Sequence, residues 1–387
     1  MRDLEHSLLI GTTGYEVDVR LEAATATRTN IEDERLSPGL ARLIEQSESI
    51  VGAVSASDSE KSEEPWADAK VESSRRIAAR ADVRLGRNES GSGANGEGGT
   101  VLILTPMRDR AHALGRFFGM IAKLTYPKHL ISVGILEGDS KDSTFTDAQA
   151  ALNNLLEVHG FRRATLIKRD YAFNVERTHR HDYHVQQERR STLARLRNFL
   201  FVSALYDEDW VLWIDSDLAW YPKDIIEVMM ATKKDLIVPH CLLGFNTYDY
   251  NSWQETRESL ALQSTMQPEE LLYEGYLEEA GVDTKRLHMT ELQYRCEDEG
   301  RDQRSHLEHR REHGDSGDDQ MCKEDGLVKL DGVGGAVILM RSALHREGLY
   351  FPPYAFNHSI ETEGMAKMCS EMGLQAYGMP MLKVWHK

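Results

Sequence analysis

The chain has 387 residues, 41% of them hydrophobic, with 46 Lys and Arg against 63 Asp and Glu, a formal net charge of −17. At about 150 residues per domain the length admits two or three domains, or one large α/β domain with additions. The acidic balance excludes a nucleic-acid-coating protein, which needs a basic face, and no run of about 18 apolar residues is present to span a bilayer.

The first residues, MRDLEHSLLIGTTGYEVDVR, lack a basic stretch followed by an apolar one and do not read as a signal peptide. Residues 1–99 read as a low-complexity, partly disordered N-terminal region and linker. Positions 50–75 are rich in Ser, Glu, Asp and Lys, and 86–99 (GRNESGSGANGEGG) have flexible-linker composition, with short helices possible near 38–48. Asn88-Glu89-Ser90 and Asn357-His358-Ser359 fit glycosylation sequons.

At Val101 the character changes. VLILTP is a short continuous apolar run, as a buried parallel strand would be. Leu114, Phe117, Phe118 and Ile121 make one helical stripe, which Tyr126-Pro127 stops. A second strand at 130–139, a helix at 144–158, a third strand at 164–170 and a helix at 189–205 follow. WVLWIDSD at 210–217 and DLIVPH at 235–240 are further strands. This alternation predicts βαβ units in a mostly parallel sheet. Ligands of such sheets bind beyond the carboxyl ends of the strands. Those ends carry residues 105–108, 137–140 and 215–217. The mixed-charge tract at about 297–326 reads as a solvated insertion, and its His306, His309 and His313 lack anything that fixes metal geometry. VKLDGVGGAVILM resumes the apolar pattern, then a helix near 359–372 and a final MLKVWHK complete the 100–387 domain. No tandem repeat is visible.

Four cysteines, Cys241, Cys296, Cys322 and Cys369, form no CxxC pair, which disfavours a zinc knuckle. Cys241 reads as core. Cys296 and Cys322 flank the polar tract, either as a disulfide or as free thiols.

Asp215 and Asp217 are the most informative pair. In extended chain, residues two apart face the same way, so both carboxylates can reach one divalent cation. Hard oxygen ligands suit Mg²⁺ or Mn²⁺, and an added imidazole favours Mn²⁺. A metal held there commonly carries a phosphate, which calls for cations. Residues 162–197 supply ten lysines and arginines. Arg189 and Arg190 fall at a helix start, where an anion is already favoured. Arg195 and Arg197 lie about 200° apart on that helix, and Arg197 shares a face with Arg190. Gly332, Gly334 and Gly335 make no GxGxxG fingerprint but allow close backbone approach by a ligand, or a tight turn.

TPMRDR, YPKHLISVGILEGDSKDST, RHDYHVQQERRSTLARLRN, WVLWIDSDL, YDYNSW, LDGVGGAVILM, FNHSIETEGMAKM and the terminal VWH together resemble the fungal Golgi mannan-polymerase mannosyltransferases. These are the Anp1/Mannan-nine/Van1 type, glycosyltransferase family 62. The segments occur in order over 100–387 and are specific as a set. The resemblance implies an α/β GT-A fold with a mostly parallel central sheet flanked by helices. It implies GDP-mannose as donor, Mn²⁺ (Mg²⁺ as the alternative), retention at the anomeric carbon, and an N-glycan mannan acceptor extended through α-1,6 or α-1,2 bonds. It also implies a Golgi location and a hetero-complex with related subunits.

Position by position, the resemblance makes Asp215, Asp217 and His386 the metal ligands, Arg189 a diphosphate residue and Asp249 a residue of the donor–acceptor junction. It puts Thr105, Pro106, Arg108, Glu137, Asp139, Ser140, Arg197 and Ser216 on the donor side. Asn251, Trp253, Glu361 and Glu363 fall on the acceptor side. The chain departs from the family in having no anchor in this sequence, in Ser216 where Ala is usual, and in the long 297–326 tract. It ends one residue after His386, which predicts a ligand beyond the last structural element on a frayable end. A non-catalytic scaffold subunit and a GT-A enzyme with another donor, such as a UDP-sugar, are the competing readings.

Overall fold

A computed structural model of the chain describes residues 16–22, 99–173, 179, 182–276, 282–295 and 326–387. The linker, the Asn88 sequon, the Cys296–Cys322 pairing and the three tract histidines lie outside these residues. In chain order the elements are β1 (Glu16–Glu22), β2 (Val101–Met107), α1 (Leu114–Ala122), β3 (Ile131–Glu137), α2 (Thr144–Glu157), β4 (Arg163–Arg169) and α3 (Gln186–Ala204). Then come β5 (Trp210–Ile214), β6 (Leu218–Trp220), α4 (Ile225–Met230), β7 (Leu236–Leu243), β8 (Asn246–Thr247), β9 (Trp253–Gln254), α5 (Arg257–Gln263) and β10 (Leu287–His288). The last are β11 (Val328–Leu330), β12 (Val337–Arg341), α6 (Ser342–Arg346), α7 (Glu361–Glu371) and β13 (Ala376–His386).

One sheet runs in the order β1-β4-β3-β2-β5-β12-β7-β13-β11, with β6 on β13 and β8 on β7. Strands β4, β3, β2 and β5 are parallel, built by the expected βαβ crossovers. β12 inserts antiparallel between β5 and β7, and β13 lies parallel to β7. The sequence reading did not assign β1, which pairs antiparallel with the outer edge of β4.

The central strands β2, β3 and β5 are buried on both faces, which is why they read as unbroken apolar runs. Side chains alternate between two cores. Val101 and Ile103 of β2, Leu212 of β5 and Leu339 of β12 join the stripe of α1 in one. Leu102, Leu104, Trp213 and Met340 join Leu200 of α3 and Met365 of α7 in the other. The α1 stripe of Leu114, Phe117, Phe118 and Ile121 is buried as its spacing predicts. Cys241 and Cys369 are buried free thiols. Among the described residues no helix is long and apolar enough to cross a membrane.

Helix α3 joins the fold to the site. Its buried stripe is apolar at the C-terminal end, with Leu200, Phe201 and Ala204, and charged at the other, with Arg190 and Arg197. Arg195 on the opposite side is exposed. A helix that starts beside the sheet's carboxyl edge and ends in the core has this split composition for a simple reason: only the first half reaches polar partners.

Candidate active site

Strand β5 stops at Ile214, and Asp215, Ser216 and Asp217 form the turn into β6. The aspartates are therefore not two residues of an extended strand, as their spacing had implied. The turn brings both to the wall of one cavity of about 290 Å³ that also holds residues 106–110, Gly138, Asp139, Arg189 and His386.

His386 arrives by strand pairing. In the β13–β6 ladder it lies opposite Leu218, and the Lys387 amide donates to the Asp217 carbonyl at 3.2 Å. The preceding Trp385 is buried, packs edge-on against Trp220 and donates to the Gly244 carbonyl. His386 thus sits inside a paired strand rather than on a frayed end, because β6 supplies it with a partner. Its Nε2 lies 3.2 Å from Asp217 Oδ1, while its Nδ1 is 3.0 Å from the Lys387 carbonyl. Nδ1 therefore carries the proton of the neutral ring, and the Nε2 lone pair faces a carboxylate oxygen.

Two lone pairs facing each other need a cation between them. A proton on Nε2 meets that need, and burial, which lowers the His386 pKa, is outweighed by the hydrogen bond and charge of Asp217, which raise it. Two carboxylates and one imidazole are also, in their chemistry, a donor set suited to Mn²⁺. Among the described residues no three metal-ligating groups stand as a ready cluster. Each carboxylate is neutralised by an arginine instead. Arg110 bonds Asp217 Oδ2 at 2.5 Å, and Arg197 bonds Asp215 Oδ1 at 3.2 Å. Burial raises the Asp215 pKa against the pull of Arg197, and the neighbouring Asp217 adds to the rise. Burial also works to raise Asp217, but the His386 hydrogen bond and the Arg110 charge win and hold it well below the usual carboxylate range.

The donor-side loops divide into groups that face the cavity and groups that brace it. Pro106, Arg108, Asp139, Arg189 and Ser216 line it. Arg189 stands in the first turn of α3 and makes no ion pair among the described residues. Arg108 donates to the Phe173 carbonyl at 2.7 Å. Asp139, at a positive φ of 58°, accepts the amides of Tyr171 and Ala172 and so shapes the loop after β4. Thr105 is buried and ties β2 to the Ile214 carbonyl at 2.7 Å. Glu137 is buried and accepts the Ser140 amide, and Ser140 Oγ accepts the Asp109 amide.

On the other side, Asp249 is half-buried, accepts the Asn251 amide at 3.1 Å and has its pKa raised by burial. The loop of Gly332, Gly334 and Gly335 runs against three of the expected site residues. A Cβ at Gly334 would lie 1.6 Å from Asp249 Oδ2, one at Gly332 would lie 2.2 Å from the Trp253 indole, and one at Gly335 would lie 2.8 Å from an Arg197 nitrogen. The close approach read from this loop is thus to the protein's own side chains. Trp253 is fully buried with the Arg286 guanidinium 3.6 Å from its ring centroid. Asn251 Oδ1 accepts from Arg190 at 3.3 Å. Glu363 pairs with Arg190 at 2.5 Å, and Glu361 pairs with Arg197 at 3.0 Å. Burial raises the Glu363 pKa to about 7 despite Arg190.

A family model described as Anp1 matches residues 81–355. The chain belongs to the Anp1 family. It is 32% identical to the mannan polymerase II complex anp1 subunit of Schizosaccharomyces pombe, over 79% of this chain and 68% of that one. It is 32% identical to the mannan polymerase complex subunit mnn9 of the same organism, over 74% of this chain and 79% of that one. Among solved structures, the mannosyltransferase PcManGT from Pyrobaculum calidifontis in complex with GDP-Man and Mn2+ matches 88% of this chain and 68% of its own at 13% identity and a TM-score of 0.40.

Two residues of this Anp1-family site escaped the sequence reading. Arg110 lies in the TPMRDR segment, but nothing in its spacing shows that it reaches a residue 107 positions away. Tyr248 opens YDYNSW and stacks on His386 with centroids 3.7 Å apart and planes 15° from parallel. An aromatic next to Asp249 was the available signal for it.

Proposed function

We propose that this chain is a retaining, metal-dependent mannosyltransferase. It moves mannose from GDP-mannose to an α-linked mannose of an N-glycan mannan, through an α-1,6 or α-1,2 bond. Its setting is a Golgi hetero-complex of related subunits. The observation that carries the reading is the meeting of Asp215, Asp217 and His386 at one cavity beyond the carboxyl ends of β2, β3 and β5. Membership of the Anp1 family, with relatives named as mannan polymerase subunits, points the same way.

Asp215, Asp217 and His386 are the residues that would hold the ion. A divalent cation there supplies positive charge to the departing diphosphate. Arg189, free of protein partners among the described residues, adds charge from the first turn of α3. Tyr248 holds the His386 ring in plane. Asp249 is the residue that would assist the acceptor hydroxyl or the developing oxocarbenium ion. In same-face substitution the leaving phosphate takes the acceptor proton, and no protein nucleophile is needed. The meeting of these three side chains at one cavity favours an enzyme over a scaffold subunit.

Calorimetry with GDP, UDP and GDP-mannose, each with and without Mn²⁺, tests the reading. GDP is expected to bind in the presence of Mn²⁺ and to lose that binding in Asp215→Ala and in Asp217→Ala. Equal affinity for GDP with and without the ion, or in both variants, would sink the metal assignment. Preference for UDP would move the chain to another donor.

A further inference from the structure

The buried arginines of the site are not equivalent. Arg197 is nearly inaccessible and has Glu361, Asp215 and the Gly335 carbonyl as acceptors, with Trp213 and Phe351 against its plane. Arg190 is equally enclosed by Glu363, Asn251 and the Glu274 carbonyl. Arg110 differs. Among the described residues its guanidinium has one partner, Asp217 Oδ2, reached through one nitrogen. A guanidinium carries five N–H donors in a fixed fork, so most of Arg110's donors have no protein acceptor.

Its position is also distinct. Arg110 lines the 290 Å³ cavity and a second cavity of about 250 Å³ beside it. Asp217 and His386 are shared by both as well, so the Arg110–Asp217–His386 row is the wall between the two chambers. The backbone at Arg110 is held, its amide donating to Thr144 Oγ1 at 2.7 Å. Only the side chain has freedom to change partner.

The carboxylate it holds is the one a divalent ion needs. Both oxygens of Asp217 are already engaged, one by Arg110 and one by His386. An arginine and a metal cannot both take full advantage of the same oxygen, because their charges repel at contact distance. A guanidinium displaced from a carboxylate next prefers another planar or tetrahedral oxyanion.

Building on the mannosyltransferase reading, we propose that Arg110 is an exchangeable cation. It neutralises Asp217 when no divalent ion is bound, and it turns to the donor diphosphate when Asp217 ligates the ion. It would then be a second diphosphate-binding arginine in the cavity that Arg189 also lines. The proposal makes two effects of one substitution run in opposite directions, which a merely structural role would not do.

The experiment compares the unaltered chain with Arg110→Gln and Arg110→Lys. Mn²⁺ alone is titrated by the loss of its free-ion paramagnetic resonance signal, and GDP is titrated by calorimetry at saturating Mn²⁺. Arg110→Gln is expected to bind Mn²⁺ alone about 3- to 10-fold tighter, because a competing charge is gone. It is expected to bind GDP about 10- to 100-fold more weakly, the usual loss for a charge-assisted bond. Arg110→Lys should fall between on both measures, since it keeps the charge and loses the fork. Melting curves identify a variant that does not fold, and the other then carries the comparison. Weaker Mn²⁺ binding in Arg110→Gln, or GDP affinity within about two-fold of the unaltered chain, overturns the proposal. Failure of the unaltered chain to bind Mn²⁺ and GDP together is a separate result, which overturns the mannosyltransferase reading and the proposal with it.

Discussion

At Gly334 there is no space for a methyl group, because Oδ2 of Asp249 occupies it. Gly334→Ala must push the carboxylate aside or bend the loop. The expected result is a loss of about 1–3 kcal/mol in urea unfolding and transfer reduced by at least about 100-fold. Adding Asp249→Ala to it should recover the stability and leave transfer abolished. Stability that stays low in the double variant would show that the loop, and not the carboxylate, is what the methyl disturbs. Glu363 gives a second test. It is fully buried against Arg190, so Glu363→Ala leaves a buried guanidinium charge uncompensated and is expected to destabilise by about 3–5 kcal/mol. A change under about 1 kcal/mol in denaturant unfolding would mean that Arg190 finds water instead. The glycine spacing was visible in the sequence, but what each glycine faces was not. Asp249 and Trp253 come from one short segment at the start of β9 and Arg197 from α3, and only the folded chain brings them to one loop.

Helix α1 and strand β13 mark the two extremes of what local pattern reveals. The α1 stripe is written in a 3.6-residue period and needs no tertiary information. The β13 strand reads AYGMPMLKVWH, apolar and polar mixed, because its two neighbours and the β6 rung bury different parts of it. His386 was therefore singled out by resemblance, and pattern did not mark it as a strand residue. Helix α3 shows the same limit in charge. A run of arginines ordinarily reads as a solvated face, yet Arg190 and Arg197 are buried because acidic residues more than 160 positions later meet them. The ladder changes what truncation should do. Deleting residues 386–387 removes the imidazole and the end of the β13–β6 pairing together, so both the melting temperature and Mn²⁺-dependent GDP binding should fall. His386→Gln keeps the backbone rung. It is expected to lower GDP binding by about 10-fold or more while changing stability by about 1 kcal/mol or less. A melting temperature that falls as far in His386→Gln as in the deletion would assign the effect to the side chain's packing on Tyr248.

Across the whole molecule, one source of acid sensitivity, between about pH 6.5 and 4, lies away from the candidate site. His345 is enclosed beneath the sheet, stacked on Phe201 with centroids 4.1 Å apart, and accepts the Trp213 indole N–H on Nε2 at 3.4 Å. Its Nδ1 donates to the Leu349 carbonyl at 2.7 Å. Both nitrogens are satisfied in the neutral ring, and burial lowers its pKa to about 4. The unfolded chain, with a histidine near 6.5, binds a proton first as pH falls. The stability from keeping His345 neutral is thus fully present above about pH 6.5 and is lost progressively as pH drops toward 4, to a total of about 3 kcal/mol. His240, lowered to about 3 mainly by burial, acts in the same direction. Urea unfolding at a series of pH values should show this slope, and His345→Gln should flatten it. An unchanged slope in that variant would place the acid sensitivity in the carboxylates instead. The two-sided sheet itself was readable from its apolar runs, but the antiparallel insertion of β12 was not, since its residues are as apolar as those of a parallel strand.

Arg190 and Arg197 stand seven residues apart on α3 and grip Glu363 and Glu361, two residues apart on α7. Seven residues of helix are about 10.5 Å, a fixed length set by backbone geometry. Arg197 also holds Asp215, and Arg190 also holds Asn251. Helix α3 is therefore a ruler laid between Asp215 and Asn251, with a clamp at each mark. Side-chain substitutions elsewhere on α3 leave the ruler intact. A single residue inserted between the two marks would turn one clamp about 100° away from the other, so the tolerance of this segment to insertion should be far lower than its tolerance to substitution.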